Sequence, residues 1–229
     1  MTPTPISIAI DGPASSGKGT VARLVASALG YQHVDSGALY RALAWVALEA
    51  GVPWTDGPSL AALVPDMNLG WRPVPGSVSM RLFLGERDVE DEIRTEAIGR
   101  GASDVSKLPE VRAALLQLQR DWGERGGVVM DGRDIGTVVW PDAGLKIFLT
   151  ASVEARAFRR FKEQRWRGIA CELETVRTEI EARDHQDSNR AVAPLKQADD
   201  AFLLDTTDLA PGAAADQVIA WAREASGAA

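Results

Sequence analysis

Residues 6–20 read ISIAIDGPASSGKGT, and their order predicts a strand, a small-residue loop and the start of a helix. Ile6, Ile8 and Ile10 are apolar β-formers that stop at Asp11-Gly12-Pro13. Gly17-Lys18-Gly19-Thr20 then leads into VARLVASALG, a helical pattern closed by Gly30. A strand, a loop of small residues and a helix in this order form a phosphate-binding loop. The first N–H groups of the helix lack partners within it and point at an anion seated on its end. Glycines let the backbone come close to that anion because no Cβ intervenes. Gly12, Pro13, Ala14, Ser15, Ser16, Gly17, Lys18, Gly19 and Thr20 are therefore the expected cradle for a nucleotide's phosphates. Lys18 is expected to reach the β- and γ-phosphates. The strict pattern G-x4-G-K-[ST] is missed by one residue, since Gly19 follows Lys18 and Thr20 comes next.

The rest of the composition bounds what such a loop serves. The chain has 229 residues, 45% hydrophobic and 25% charged, which suits one sizeable α/β domain with small insertions. Its formal net charge is −7, a poor match to a nucleic-acid polymer, so cations for phosphate must be concentrated in one cleft. A single cysteine, Cys171, excludes an internal disulfide and fits a reducing compartment. No basic leader and no 18-residue apolar run is visible, so the expected location is cytoplasmic, with no membrane partner. Nothing in the sequence demands a second subunit, and a monomer is expected.

Further along, Tyr31–Val34 predicts a short strand and Ala38–Ala50 a helix, with Ser36 placed as its N-cap. From about residue 65, short alternating runs separated by Pro75-Gly76 and Gly85-Glu86 predict a small antiparallel sheet inserted into the core. Helices are expected over 93–103 and 109–124, a buried strand over 127–131 and another over 145–149. A helix from Val153 carries Arg156, Arg159, Arg160, Lys162, Arg165 and Arg167 before Gly168 interrupts it. Helix 172–183, strand 202–204 and helix 213–223 complete the pattern. Strand and helix alternate throughout the core. The expected fold is a P-loop α/β/α sandwich on a five-stranded parallel sheet with right-handed crossovers. Asp131 closes its strand, where a metal- or phosphate-facing carboxylate sits in doubly wound folds, and Gly132-Arg133-Asp134 follows at once.

Phosphoryl transfer needs two anionic substrates brought into line and the migrating charge neutralised. Arg41, Arg94, Arg112, Arg133 and Arg190 each stand near an element boundary, and the guanidinium fork binds phosphate oxygens bidentately. The set GPASSGKGT, DSGALYR, DGRDIGTVV and RDHQDSNRAVAPL resembles the bacterial cytidylate kinases, in that family's order and spanning residues 12 to 195. GKGT alone is closer to nucleoside monophosphate kinases than to GTPases, and the inserted sheet is similar to that of bacterial members. The resemblance implies the reaction ATP + CMP (or dCMP) ⇌ ADP + CDP (or dCDP), with Mg²⁺ accompanying ATP.

Carried onto this sequence, the resemblance implies that Lys18, Arg133 and Arg159 are catalytic. Residues 12–20, Arg156 and Arg160 hold ATP. Ser36, Arg41, Ser103, Arg112, Arg133, Asp134, Arg183, Asp187 and Arg190 hold CMP. Within that set, Arg41, Arg133 and Arg190 meet the phosphate, Ser103, Arg112 and Asp134 the cytosine, and Arg183 and Asp187 the sugar. One domain is expected over 1–229. Its core is 1–37, 104–155 and 172–229, its monophosphate-binding region with the insert is 38–103, and its helical lid is 156–171. No protein ligand to the metal is expected, since Gly19 displaces the usual hydroxyl to Thr20.

Base chemistry supports the acceptor independently. A carboxylate at Asp134 suits cytosine's N4 amino donor, whereas uracil would present an oxygen to it. Such a mismatch costs on the order of a hundredfold in selectivity. Rival readings are a P-loop kinase acting on UMP, AMP or a non-nucleotide acceptor, and a nucleotide-driven switch. A guanine-reading N-K-x-D run, which a GTPase needs, does not occur in the sequence.

Overall fold

The structure, a computed structural model, describes residues 5–227 apart from 77, 79 and 125. Ser79, within the run expected to form a strand of the insert, lies outside the described residues. Strand β1 (Ser7–Asp11) is followed by helix α1 (Lys18–Leu29), which ends on Gly30 with φ 68°. Gly30 supplies the left-handed residue that closes a helix at no Cβ cost. Strand β2 (Gln32–Asp35) and helix α2 (Gly37–Glu49) come next. Ser36 holds the position before α2, but its hydroxyl makes no capping bond; it donates to the Asp131 carbonyl at 2.7 Å. Asp35 takes the local role expected of Ser36, accepting from Gly37 N at 2.9 Å.

Helix α3 (Gly57–Leu63) was not expected from the apolar spacing; Asp56 starts it by accepting from Ser59 N at 3.1 Å. The insert is a three-stranded antiparallel sheet of β3 (Leu69–Pro73), β4 (Met80–Leu84) and β5 (Arg87–Asp88). The helix expected from residue 93 is instead a short 3₁₀ turn, Glu92–Arg94, followed by α4 (Glu96–Val105). Thr95 sets that break, since its hydroxyl accepts from Ile98 N and its extended backbone restarts the helix.

Helix α5 (Pro109–Gly123) leads to β6 (Val128–Gly132), a π-helical turn at Ile135–Val139 and β7 (Leu145–Thr150). Helices α6 (Val153–Trp166) and α7 (Leu173–Ser188) pack on each other through Ala157, Val176 and Ile180. Helix α7 runs five residues beyond the expected 183 and so carries Arg183 and Asp187 one turn apart on one face. Strand β8 (Phe202–Asp205) and helix α8 (Pro211–Ala225) close the chain.

The core sheet is five-stranded and parallel throughout, in the order β2-β6-β1-β7-β8. Ile8, Ala9 and Ile10 of central β1 are fully buried, each large side chain contributing about 2 kcal/mol on leaving water. Val21, Val25, Val218 and Ile219 from α1 and α8 cover one face of the sheet. Leu39, Leu43, Leu115 and Ile135 cover the other, in a cluster that extends to Trp71 and Leu82 of the insert. The C-terminal ends of β1, β2 and β6 therefore share one edge, which presents the phosphate loop, Asp35 and Asp131–Asp134 together.

Candidate active site

Gly12 opens the phosphate loop where β7 runs closest to it. A Cβ at residue 12 would lie 2.0 Å from the Leu149 carbonyl oxygen, so only glycine fits. Gly17 (φ 95°) turns the loop into α1, and Ser15 sits at φ 59° in the left-handed region. Lys18 is buried, and its Nζ donates to the Pro13 carbonyl at 3.0 Å. Burial and the neighbouring Arg133 lower its pKa to about 7. A second anionic group arriving on the loop would favour the charged form again.

Beside the loop is a cleft of about 200 Å³ at the sheet edge. Lys18, Arg41, Arg94, Arg112, Arg133, Arg183 and Arg190 line it, against the carboxylates of Asp35, Asp131, Asp134 and Asp187. Seven cations thus face four anions in a chain whose net charge is −7. Each carboxylate is engaged. Asp35 binds Arg94 at 2.7 Å, and although burial opposes it, Arg94 holds its pKa at about 2. Asp131 meets His33 Nε2 at 2.7 Å. Asp134 pairs with Arg112, and Asp187 accepts from Arg133 Nε at 2.8 Å. Burial works against Arg112, but Tyr40 and Asp134 outweigh it and raise its pKa.

The surplus cations are the informative ones. Arg183 Nε and Arg190 Nη2 are buried without a hydrogen-bond partner among the described residues. Burial, together with Arg133, lowers the Arg183 pKa to about 10, and burial likewise lowers those of Arg41 and Arg190. Buried donors without acceptors are costly, so this geometry is built to receive an anion.

Of the expected residues, Lys18, Ser36, Arg41, Arg112, Arg133, Asp134, Arg183, Asp187 and Arg190 line this one cleft. Ser103 does not: its hydroxyl accepts from Gln186 Nε2 at 2.6 Å, and its helix neighbours Ala102 and Ser106 face the cleft instead. The arginines of α6 divide. Arg156 is buried on Asp184 at 2.5 Å and reaches the Ala14 carbonyl at 3.3 Å. Arg159 reaches the Ser16 carbonyl at 3.1 Å and also holds Thr206. Both therefore touch the phosphate loop through its carbonyls. Arg160 turns the other way, to Glu163 at 3.1 Å and Glu96 of α4 at 3.8 Å. Gln164 also binds Glu96, at 2.9 Å, so α6 leans on the region bearing the insert.

Asp11 and His33 were not singled out as site residues by their surroundings in sequence. Asp11 is buried at the end of β1 and accepts from the N–H groups of Ile135 and Gly136. The available signal was a charged residue ending an otherwise apolar strand. No group of three or more His, Cys, Asp or Glu side chains able to hold a metal occurs among the described residues.

A phosphate loop on a parallel sheet, a cationic cleft beside it and an arginine-bearing helix against the loop define a P-loop kinase. The profile of the cytidylate kinase family matches residues 8–224, and the chain belongs to that family. Proteins named cytidylate kinase from Exiguobacterium sibiricum and Neisseria meningitidis serogroup C are 51% and 53% identical to it. The first match covers 94% of each chain; the second covers 95% of this chain and 97% of the relative. A cytidylate kinase from Pseudomonas aeruginosa is 50% identical over 93% of each. A crystal structure of an uncharacterized protein from Eubacterium ventriosum shares the fold. Its TM-score is 0.54 at 12% identity, over 96% of this chain and 98% of that one.

Proposed function

We propose that this chain transfers the γ-phosphate of ATP to CMP or dCMP, giving ADP and CDP or dCDP. The observation that carries the reading is the pair of buried, unpartnered nitrogens on Arg183 and Arg190, in the same cleft as Lys18 and Arg133. A monophosphate placed there lies beside the phosphate loop, where an acceptor must lie for in-line transfer. Arg41, Arg133 and Arg190 bind that phosphate, while residues 12–20 with Lys18 bind the donor's. The acceptor is already an anionic nucleophile, so no general base is required. Asp134, held by Arg112, accepts from the cytosine amino group, and Asp187 with Arg183 meets the sugar hydroxyls. Arg159, next to the loop, neutralises charge in transit, and Arg156 supports the loop through the Ala14 carbonyl.

Mg²⁺ bound with ATP supplies neutralisation of the phosphate oxygens. The residues fit an ion held chiefly by nucleotide and water: Thr20 is exposed, its hydroxyl accepting only a long bond from Arg23 at 3.5 Å, and Asp131 spends only Oδ1 on His33. The division into a core, a monophosphate-binding region over 38–103 and a lid over 156–171 is part of the same proposal. So is action as a monomer in the cytoplasm. No helix among the described residues is long and apolar enough to cross a membrane. A panel of nucleoside monophosphates with ATP and Mg²⁺ tests the reading. CMP and dCMP turn over fastest and UMP about a hundredfold more slowly, if a carboxylate reads the amino group. Equal turnover of CMP and UMP, or none, overturns it.

A further inference from the structure

A helical turn begins with N–H groups that have no partner inside it, and an Asp just ahead of it ordinarily accepts one. Asp134 holds that position before the π-helical turn Ile135–Val139, yet its side chain makes no capping bond. It pairs with Arg112 of α5 instead. The two N–H groups go to a residue from the other end of the chain. Ile135 N donates to Asp11 Oδ1 at 2.8 Å and Gly136 N to Asp11 Oδ2 at 2.7 Å.

We propose that Asp11 is a positioning residue for acceptor selection: it caps this turn in place of Asp134, and so leaves the Asp134 carboxylate, beyond its pairing with Arg112, to read the base. The inference rests on the reading of CMP as acceptor. Three features support it. Asp11 and Asp134 are both buried, at 4% and 5% exposure, so water cannot replace a lost partner cheaply. Asp11 lies directly opposite Gly132 in the β1–β6 register, two residues before Asp134. The turn is also packed closely, since a Cβ on Gly136 would lie 3.2 Å from the Lys146 side chain and 3.5 Å from Asp11 Oδ2. Without Asp11, two buried donors would stand next to Asp134. Its carboxylate is then the local acceptor, as at an ordinary helix start, and it can no longer serve both the turn and the base.

The test compares wild type, Asp11→Asn and Asp11→Ala with CMP, UMP and ATP varied in turn. Asn keeps the volume and one acceptor oxygen but turns its NH₂ towards the other donor; Ala removes both acceptors. Loss of these bonds raises KM for CMP and lowers the CMP-to-UMP preference, each by about tenfold, with Ala the worse. KM for ATP stays within about twofold, because the phosphate loop keeps its own contacts. An unchanged CMP-to-UMP ratio in either folded variant overturns the proposal. So does a rise in KM for ATP that matches the rise for CMP, which would make Asp11 a support for the phosphate loop alone. Adding Asp11→Asn to Asp134→Asn leaves the ratio where Asp134→Asn put it; additive losses count against action through Asp134. Circular dichroism melts establish folding, and if Ala does not fold, the volume-conserving Asn variant decides. A wild type that prefers another acceptor overturns the acceptor reading instead, and the variants are then read against that acceptor.

Discussion

Arg133 Nε donates to Asp187 Oδ2 at 2.8 Å, joining the residue after β6 to the last turn of α7, 54 positions later. The same carboxylate, with Arg133 and Arg183 beside it, keeps a pKa below its ordinary value despite burial. One anion thus bonds Arg133 and attracts Arg183, two arginines of the proposed acceptor site.

Replacing that anion frees both cations without giving them a new partner. Asp187→Asn is expected to lower kcat/KM for CMP by roughly 10- to 100-fold, the worth of one charge-assisted hydrogen bond. KM for ATP moves far less. Steady-state kinetics with each substrate varied in turn checks this, and equal effects on both substrates would count against the division of the cleft.

Lys18 gives a pH signature. Its pKa is lowered to about 7 by burial and Arg133, so the free protein carries an uncharged amine above that pH. Bound phosphates favour the ammonium, so ATP binding above pH 7 takes up a proton. The sign follows: the Lys18 contribution to ATP affinity is flat well below pH 7 and falls as pH rises through and beyond it. At pH 8 the uptake is about one proton per ATP, measured by titration calorimetry in buffers of different ionisation enthalpy. Lys18→Ala abolishes that uptake and turnover while leaving CMP binding largely intact.

Two loop positions have opposite tolerance. Gly12→Ala drives a Cβ into the Leu149 carbonyl, a backbone atom that cannot step aside, and is expected to cost at least about 3 kcal/mol. Ser15 already carries a Cβ at φ 59°. Ser15→Gly removes roughly 1 kcal/mol of strain, and the larger entropy of the unfolded chain returns part of it. The net is about 0.5 kcal/mol of stabilisation, read by scanning calorimetry; a destabilised Ser15→Gly would show that the loop gains from the serine.

Much of this was legible from residues 6–20 because the phosphate loop is local chemistry. Its N–H groups, glycines and lysine lie within nine consecutive residues, and the apolar alternation ahead of them marks the strand. The arginines were legible as a set, since their positions at element boundaries follow from spacing. Their partners were not. Arg160 turns to Glu96 rather than to the phosphate loop, and Ser103 is held by Gln186, because α6 and α7 lie against α4. Ser36 sits where a cap belongs, yet its hydroxyl serves Asp131, a strand neighbour 95 residues away.

By itself, then, the sequence pointed to the kind of site: a phosphate-binding loop on a parallel sheet, with arginines proposed for the second anion and a carboxylate proposed for an amino group. Tertiary structure decided which carboxylate caps the turn and which pairs with an arginine. Strand β1 lies between β6 and β7, and that order brings Asp11 to the turn after β6 and releases Asp134 to Arg112. Hydrogen-bond donors are claimed by whichever acceptor the packing brings within about 3 Å. Spacing along a chain does not encode that distance across a sheet.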